Sequence, residues 1–375
     1  GLIYSYSVFF KPLAAYFHWD RASVSLIYSL AVIIRGAAAI GTGWAADKFG
    51  ARKIMIFCGI MMAIGYLLSS RVSSLWQFFL TYAVIEAIGM SGTWGVCTAA
   101  PARWFEKNRG LALGIATAGS GLGTLLIVPL AERMVAAYDW SQAFVICGIG
   151  AGVLMIAAAL FLRNPPVTLA ASGKKQPVAG ATAKEALRDP RLWLITLAFM
   201  FFFFGSQIIM VHLVNYATDV GISPLIAATF VGIIGAVSVV SRITIGPITE
   251  KIGLYKGLVI TCFALAATFI LLLFTRAPWS FYLCAALYGI PYGGEVTLIP
   301  LILARFFGTR AMATLMGMMV FIIGIGGSLG AWYAGWIFDM TDSYRWAFIT
   351  GAAFGMVSIV MVLFVQRADK RKAQV

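Results

Sequence analysis

Charge is what this chain is short of. Only 11% of its 375 residues are Asp, Glu, Lys or Arg, just 14 of them are acidic, and there are two histidines and five cysteines. That scarcity excludes a soluble domain, because 61% hydrophobic residues and a mean hydropathy of +0.91 exceed what a water-facing fold of this length can hide. His18 and His212 without an HExxH pattern leave nothing for a zinc hydrolase, and no GxxxxGK[ST] loop is present to cradle nucleotide phosphates. Cys58, Cys97, Cys147, Cys262 and Cys284 fall in apolar stretches, at spacings that suggest neither a metal site nor a disulfide framework. No nucleophile, base and orienter set can be assembled, so an enzyme is disfavoured, and neither a cofactor nor a metal is expected.

What the chain has in abundance is apolar length. Hydrocarbon about 30 Å thick takes roughly 20 apolar residues per helix, and charged or Pro/Gly-marked breaks delimit twelve segments. These are 1–17, 21–46, 51–70, 76–103, 107–137, 140–162, 191–218, 223–249, 254–275, 278–307, 310–338 and 344–366. The sequence therefore predicts an all-α membrane protein with twelve transmembrane helices in two six-helix bundles. The first segment begins abruptly at Gly1 inside a helical pattern and lacks the basic start and cleavage site of a signal peptide. It is expected to be the back half of a truncated first spanning helix.

Lys and Arg accumulate on the cytoplasmic side of a membrane. Twenty of the 28 fall on one side of the twelve-helix scheme and six on the other, while Arg35 and Arg242 lie within apolar helices. Both termini and the long central loop are accordingly expected in the cytoplasm, with the chain in the plasma (inner) membrane. This topology and the anionic headgroups of the lipid bilayer account for the net charge of +14, so no nucleic-acid partner is called for. Residues 163–190, rich in Ala, Pro, Gly, Ser and Lys, read as a flexible linker between an N-terminal bundle (1–162) and a C-terminal bundle (191–375). A short surface helix is expected at 184–190.

The chain also repeats itself. Gly43-Trp44-Ala45-Ala46-Asp47-Lys48-Phe49-Gly50-Ala51-Arg52-Lys53 and Gly246-Pro247-Ile248-Thr249-Glu250-Lys251-Ile252-Gly253-Leu254-Tyr255-Lys256 share the pattern G-x3-[DE]-K-x-G-x-x-K, displaced by 203 residues. Arg103-Trp104-Phe105 ahead of Arg109 and Gly114 matches Arg305-Phe306-Phe307 ahead of Arg310 and Gly317. Two six-helix halves are the economical explanation. An acid at a helix end can meet basic groups and a neighbouring helix N-terminus on one side of the membrane, and so acts as a conformational latch; Asp47, Arg52 and Glu250 are its candidate members. On the Asp47 loop, its Glu250 copy and the twelve-helix pattern, the chain resembles the major facilitator superfamily. That resemblance implies alternating access around a central cavity lined mainly by helices 1, 4, 7 and 10.

Few polar groups lie inside the spans. Glu86 in helix 4 and Glu295 in helix 10 are the two carboxylates well inside apolar segments, and Arg35 and Arg242 the two cations. They can neutralise one another as buried pairs, Arg35 with Glu86 and Arg242 with Glu295, or Arg242 can serve as a ligand, since guanidinium grips a carboxylate in a bidentate fork. Tyr288, Tyr292 and Glu295 fall at i, i+4 and i+7 on one helical face; His212, Asn215 and Tyr216 form a similar stripe that an interfacial aromatic belt would also explain.

Within the superfamily the pieces are similar to the monocarboxylate transporter family. The resemblance rests on Tyr4-Ser5-Tyr6-Ser7-Val8-Phe9-Phe10-Lys11, on Arg103-Trp104-Phe105 with Arg109-Gly110-Leu111-Ala112 and Ala118-Gly119-Ser120, and on Arg242. It implies that Arg242 binds the substrate carboxylate and that the Tyr292 position helps set substrate size. Two departures remove the family's proton-coupling pair: Tyr4 stands where animal members often have lysine, and Ser238 where they have aspartate. The expectation is a monomeric, proton-coupled symporter of small monocarboxylates such as lactate or pyruvate. Arg242, Tyr292, Tyr288, Asn215, His212 and Tyr4 would form the binding site, and Glu295, His212 or the substrate itself would carry the proton. Alternatives are an organic-anion exchanger of the oxalate/formate type, which would need a second cavity cation, and a non-transporting membrane sensor on a carrier scaffold.

Overall fold

A computed structural model describes residues 1–19, 21–163 and 180–372; within its helices the side chains of a few residues, Tyr4, Ser7 and Lys11 among them, are outside the description. Most of the expected linker, 164–179, is likewise outside it. The described chain is helical nearly throughout. Its elements are α1 (Leu2–Phe17), α2 (Arg21–Phe49), α3 (Ala51–Ser69), α4 (Leu75–Trp104), α5 (Arg109–Ala137) and α6 (Trp140–Phe161). After a short helix at Ala183–Arg188 come α7 (Pro190–Asp219), α8 (Pro224–Ile252), α9 (Leu254–Phe274), α10 (Pro278–Phe307), α11 (Met312–Thr341) and α12 (Arg345–Lys372). Twelve long helices are the answer to lipid, where every backbone N–H and C=O must be satisfied within its own segment.

Among the described residues ten helices are long and apolar enough to span a membrane. The other two are α1, whose apolar stretch covers only Val8–Phe17, and α4. The α4 helix departs from the expected regular span: Leu75–Phe78 and Ala87–Trp104 are α-helical, but Phe79–Glu86 between them is a π-helix. Thr81, Tyr82 and Glu86 are the few polar residues of this segment, too few for a periodicity that would betray the change of hydrogen-bonding register.

Punctuation follows local chemistry. Asp139 accepts the Gln142 N–H at 2.6 Å and caps α6, and Asp189 accepts the Arg191 N–H at 2.9 Å and caps α7. The two repeated loops turn on glycines in positive φ, Gly50 at 95° and Gly253 at 97°, which a side chain rarely tolerates. Both preceding helices run three residues past the expected ends at 46 and 249, so Asp47 and Glu250 stand in the last helical turn of α2 and α8.

Two compact units account for the packing. One comprises residues 1–106, 119–183 and 303–321, the other 107–118, 184–302 and 322–375. In the first, α3 packs along α6 and α4, and Phe9, Tyr66, Phe78, Tyr82 and Phe144 form an aromatic core. In the second, α12 packs along α7 and α9 around Phe202, Phe230, Phe269, Phe281 and Tyr288. Glycines allow close helix contact: a Cβ at Gly65 of α3 would lie 2.6 Å from the Glu86 N of α4.

Candidate functional site

The cation that stands out in the sequence, Arg242, sits in α8 with only 5% of its surface exposed. A guanidinium cannot be deprotonated, so burial at this depth requires acceptors or a polarisable face. The second compact unit supplies both. Nη1 of Arg242 donates to the carbonyl of Thr117 on α5 at 2.9 Å, and Cζ lies 5.9 Å from the centroid of the Tyr292 ring on α10, within reach of a cation–π contact. The backbone is held in turn. Thr297 Oγ1 donates to the Arg242 carbonyl at 3.2 Å and lies 3.1 Å from Thr117 Oγ1, tying α5, α8 and α10 together. A Cβ at Gly114 would collide with the Arg242 carbonyl, so only glycine lets α5 come this close.

Tyr292 stacks obliquely on Tyr288, ring centroids 5.6 Å apart. Tyr288 is completely buried, and its hydroxyl is engaged by Ser206 of α7: 2.5 Å to the side-chain oxygen and 2.8 Å to the carbonyl that accepts from it. One helical turn beyond Tyr292, Glu295 is also fully buried; Oε1 accepts from Thr261 Oγ1 of α9 at 2.9 Å, and Oε2 has no hydrogen-bond partner among the described residues.

His212 and Asn215 belong to a separate relay that ends on Tyr344. Nε2 of His212 lies 2.9 Å from the Ala331 carbonyl, which can only accept, so Nε2 carries the hydrogen. Nδ1, 3.1 Å from the Tyr344 hydroxyl, accepts in the neutral ring. Burial raises the Tyr344 pKa above its ordinary value, with Asp219 adding to the effect, and the hydrogen bond from Asn215 opposes it. Tyr216, on the same stripe, points its hydroxyl to the Leu272 and Thr275 carbonyls and receives Arg276. The side chain of Tyr4 lies outside the described residues.

The latch acids have parallel surroundings. Asp47 Oδ1 accepts from Arg103 Nη2 at 2.5 Å and from Ala313 N at 3.2 Å; Oδ2 accepts from Thr314 N at 2.8 Å and Thr314 Oγ1 at 2.6 Å. Glu250 Oε1 accepts from Gly110 N at 2.7 Å. Those amides open α11 and α5, and Ala313 stands 203 residues after Gly110, the displacement that separates Glu250 from Asp47. An acid in the last turn of its own helix meets the negative end of that helix's dipole; the positive start of another helix offsets the penalty. The cation at Asp47 is Arg103, whose Nε also donates to the Thr309 carbonyl at 3.0 Å, while Arg52 is exposed on α3. In the sequence Arg103 belongs to the second repeat and to the Arg103-Trp104-Phe105 motif, and its pairing with Asp47, 56 positions away, has no sequence signature.

Of the buried charges in the first compact unit, Arg35 Nη2 and Glu86 Oε2 form an ion pair at 3.8 Å. That answers one question the sequence left open.

Three comparisons bear on this arrangement. A family model described as Major Facilitator Superfamily matches residues 1–331 and 245–375. Monocarboxylate transporter 12 of Xenopus laevis is 26% identical over 97% of this chain and 85% of its own length. The oxalate:formate antiporter of Oxalobacter formigenes is 28% identical over 97% of this chain and 87% of its own. Among solved structures, the E. coli fucose:proton symporter superposes with a TM-score of 0.75, covering 97% of this chain and 96% of that one, at 15% identity. That last likeness speaks for the fold alone.

Proposed function

We propose that this chain, which belongs to the Major Facilitator Superfamily, carries small monocarboxylates of the lactate or pyruvate type in symport with a proton. It is a multi-pass membrane transporter and not an enzyme. The single observation that carries the substrate class is Arg242: a permanent cation, 5% exposed in a membrane-spanning helix, held by a carbonyl oxygen and the face of Tyr292. A monocarboxylate fits that chemistry, because a planar fork of donors matches a carboxylate while an aromatic ring accommodates a short carbon chain. The names of two relatives, a monocarboxylate transporter and an oxalate:formate antiporter, are in keeping with a carboxylate cargo.

In this reading Arg242 binds the carboxylate and Tyr292 limits the length of the acid. Tyr288, Asn215, His212 and Tyr4 complete or support the pocket. Glu295 is the favoured proton carrier on its side of the molecule, since one carboxyl oxygen has no hydrogen-bond partner among the described residues, with His212 the other candidate. An anion bound at Arg242 offsets the positive charge of the closing cavity, which couples occupancy to switching. Asp47 and Glu250 hold the starts of α11 and α5 while the cytoplasmic side is shut and release them when it opens. The halves that alternate are 1–162 and 191–375, joined by 163–190. The functional unit is a monomer in the plasma membrane with both termini in the cytoplasm.

Exchange of a dicarboxylate is the second reading, and the 28% identical antiporter is what favours it. It requires two cavity cations, and the other arginine in the middle of an apolar helix, Arg35, stands against Glu86; the monocarboxylate reading is therefore preferred. Uptake of labelled lactate into proteoliposomes under an inward proton gradient, with short mono- and dicarboxylates competing, tests the choice. Gradient-driven accumulation competed by monocarboxylates is the expected result; gradient-independent exchange competed by oxalate would replace it.

A further inference from the structure

We propose that Glu86, paired with Arg35, is a second proton-binding site of this transporter, built into the first compact unit, and that its charge state controls how α4 sits against α2. The inference goes beyond Arg242, Glu295 and His212, none of which takes part in it.

Glu86 is completely buried, yet neither of its oxygens makes a hydrogen bond among the described residues. The same holds for Nε and Nη2 of Arg35. The one link between them is the ion pair at 3.8 Å, beyond hydrogen-bonding reach. A charged carboxylate withdrawn from water and given no hydrogen bonds is poorly compensated, even beside a cation. Taking up a proton removes the charge on the carboxylate, and the hydroxyls of Tyr28, Tyr66 and Tyr82 are the polar groups then left to Arg35.

The surroundings contain few competitors. Facing the pair are Tyr28 from α2, Tyr66 from α3 and Tyr82 from α4 itself. Tyr6 of α1 lies against Tyr82, ring centroids 5.0 Å apart, and Cys147 of α6 borders Tyr66. The other titratable groups of α4 look elsewhere, Cys97 towards Cys58 and Arg103 to Asp47. Hydroxyls and a thiol can donate to a carboxylate but bring no opposite or like charge at neutral pH, which leaves Arg35 as the fixed charge that Glu86 feels.

A second and independent observation makes the site a moving part. The π-helix Phe79–Glu86 ends on Glu86 itself. Such segments are rare, and they are frequent at functional sites. One residue of register turns a side chain by about 100° around its helix axis. Gly65 lets α3 lie directly against the Glu86 backbone, so a change of register at Glu86 is felt at the contact between α3 and α4. The proton comes from water and adds to one carboxylate oxygen, giving a neutral acid; the electrostatic hold on Arg35 is lost, and α4 is free to turn. Loss of the proton restores the pair.

The test is pH-difference infrared spectroscopy of the purified full-length chain in lipid, reading the carbonyl band of a protonated buried carboxylic acid. In the parent the band should contain more than one component, and the component that persists in Glu295→Gln should be lost in Glu86→Gln. In Arg35→Gln its titration should move by at least about one pH unit, the lower end of what a nearby opposite charge accounts for. In the transport assay at equal pH on both sides, the exchange rate of Glu86→Gln should lose the part of its pH dependence that persists in Glu295→Gln. Undiminished band intensity in Glu86→Gln overturns the proposal, as does an unmoved titration in Arg35→Gln, which also serves should the glutamine variant at 86 fail to fold. A parent that carries no monocarboxylate would count against the transport reading above, while the infrared comparison would still decide this one.

Discussion

Asp47, in the last turn of α2, accepts from both the N–H (2.8 Å) and the hydroxyl (2.6 Å) of Thr314, a residue 267 positions further along the chain. The carboxylate thereby does for α11 what an N-cap residue does for its own helix. Arg103 completes the arrangement from the opposite side.

Asp47→Asn keeps the shape of the side chain but removes its charge. Hydrogen bonds to a charged group are worth about 1.5–3 kcal/mol each, so losing one such contribution shifts the conformational equilibrium by roughly 10- to 100-fold. Substrate exchange should slow accordingly. Arg103→Gln should slow it too, and the double variant should be little worse than either alone; additive losses would mean that the two residues do not act through one contact.

Glu250→Gln should be milder. Its described contact is the single bond from Gly110 N at 2.7 Å, against four on Asp47. A slowing of less than about tenfold is expected, in line with loss of one partly buried interaction near a helix N-terminus. The exchange assay that reads Asp47→Asn ranks the pair, and a larger loss at Glu250 would contradict the ranking.

The contact of Tyr292 with Arg242 is through its ring face. Tyr292→Phe should therefore bind lactate within a few-fold of the parent, because the π face survives. Tyr292→Ala should admit longer monocarboxylates, seen as competition by acids two or three carbons longer. An unchanged size preference in the alanine variant would remove Tyr292 from the pocket.

Glu295→Gln retains an acceptor for Thr261 and loses the capacity to gain a proton. For one proton per substrate, a gradient of one pH unit sustains about a tenfold accumulation. That accumulation should vanish in the variant while substrate exchange continues. Accumulation at the parental level would move the coupling to His212 or to the Glu86 site.

How much of this was legible beforehand depended on whether a residue's role is local. Gly50 and Gly253 were readable as loop punctuation, and Asp47 and Glu250 as equivalent acids, because a repeated backbone turn demands repeated residue types. Arg242 was conspicuous because a cation in an apolar run has few other reasons to be there. Contacts assembled only in three dimensions left no trace: Arg103 reaching Asp47, the Thr117 carbonyl under Arg242, and Tyr344 closing the relay from His212 and Asn215. Nor was the π-helix legible, for a stretch whose polar residues are as few as Thr81, Tyr82 and Glu86 carries little phase to shift.

The account stands or falls on Arg242, and the most direct measurement is counterflow of labelled lactate in proteoliposomes bearing Arg242→Ala or Arg242→Lys. The alanine variant should lose transport by at least about two orders of magnitude, as removal of a buried charge-assisted contact would. Lysine, a point charge without the fork, should recover only a minor part of it. Transport at the parental rate by the alanine variant would show that the anion is held elsewhere.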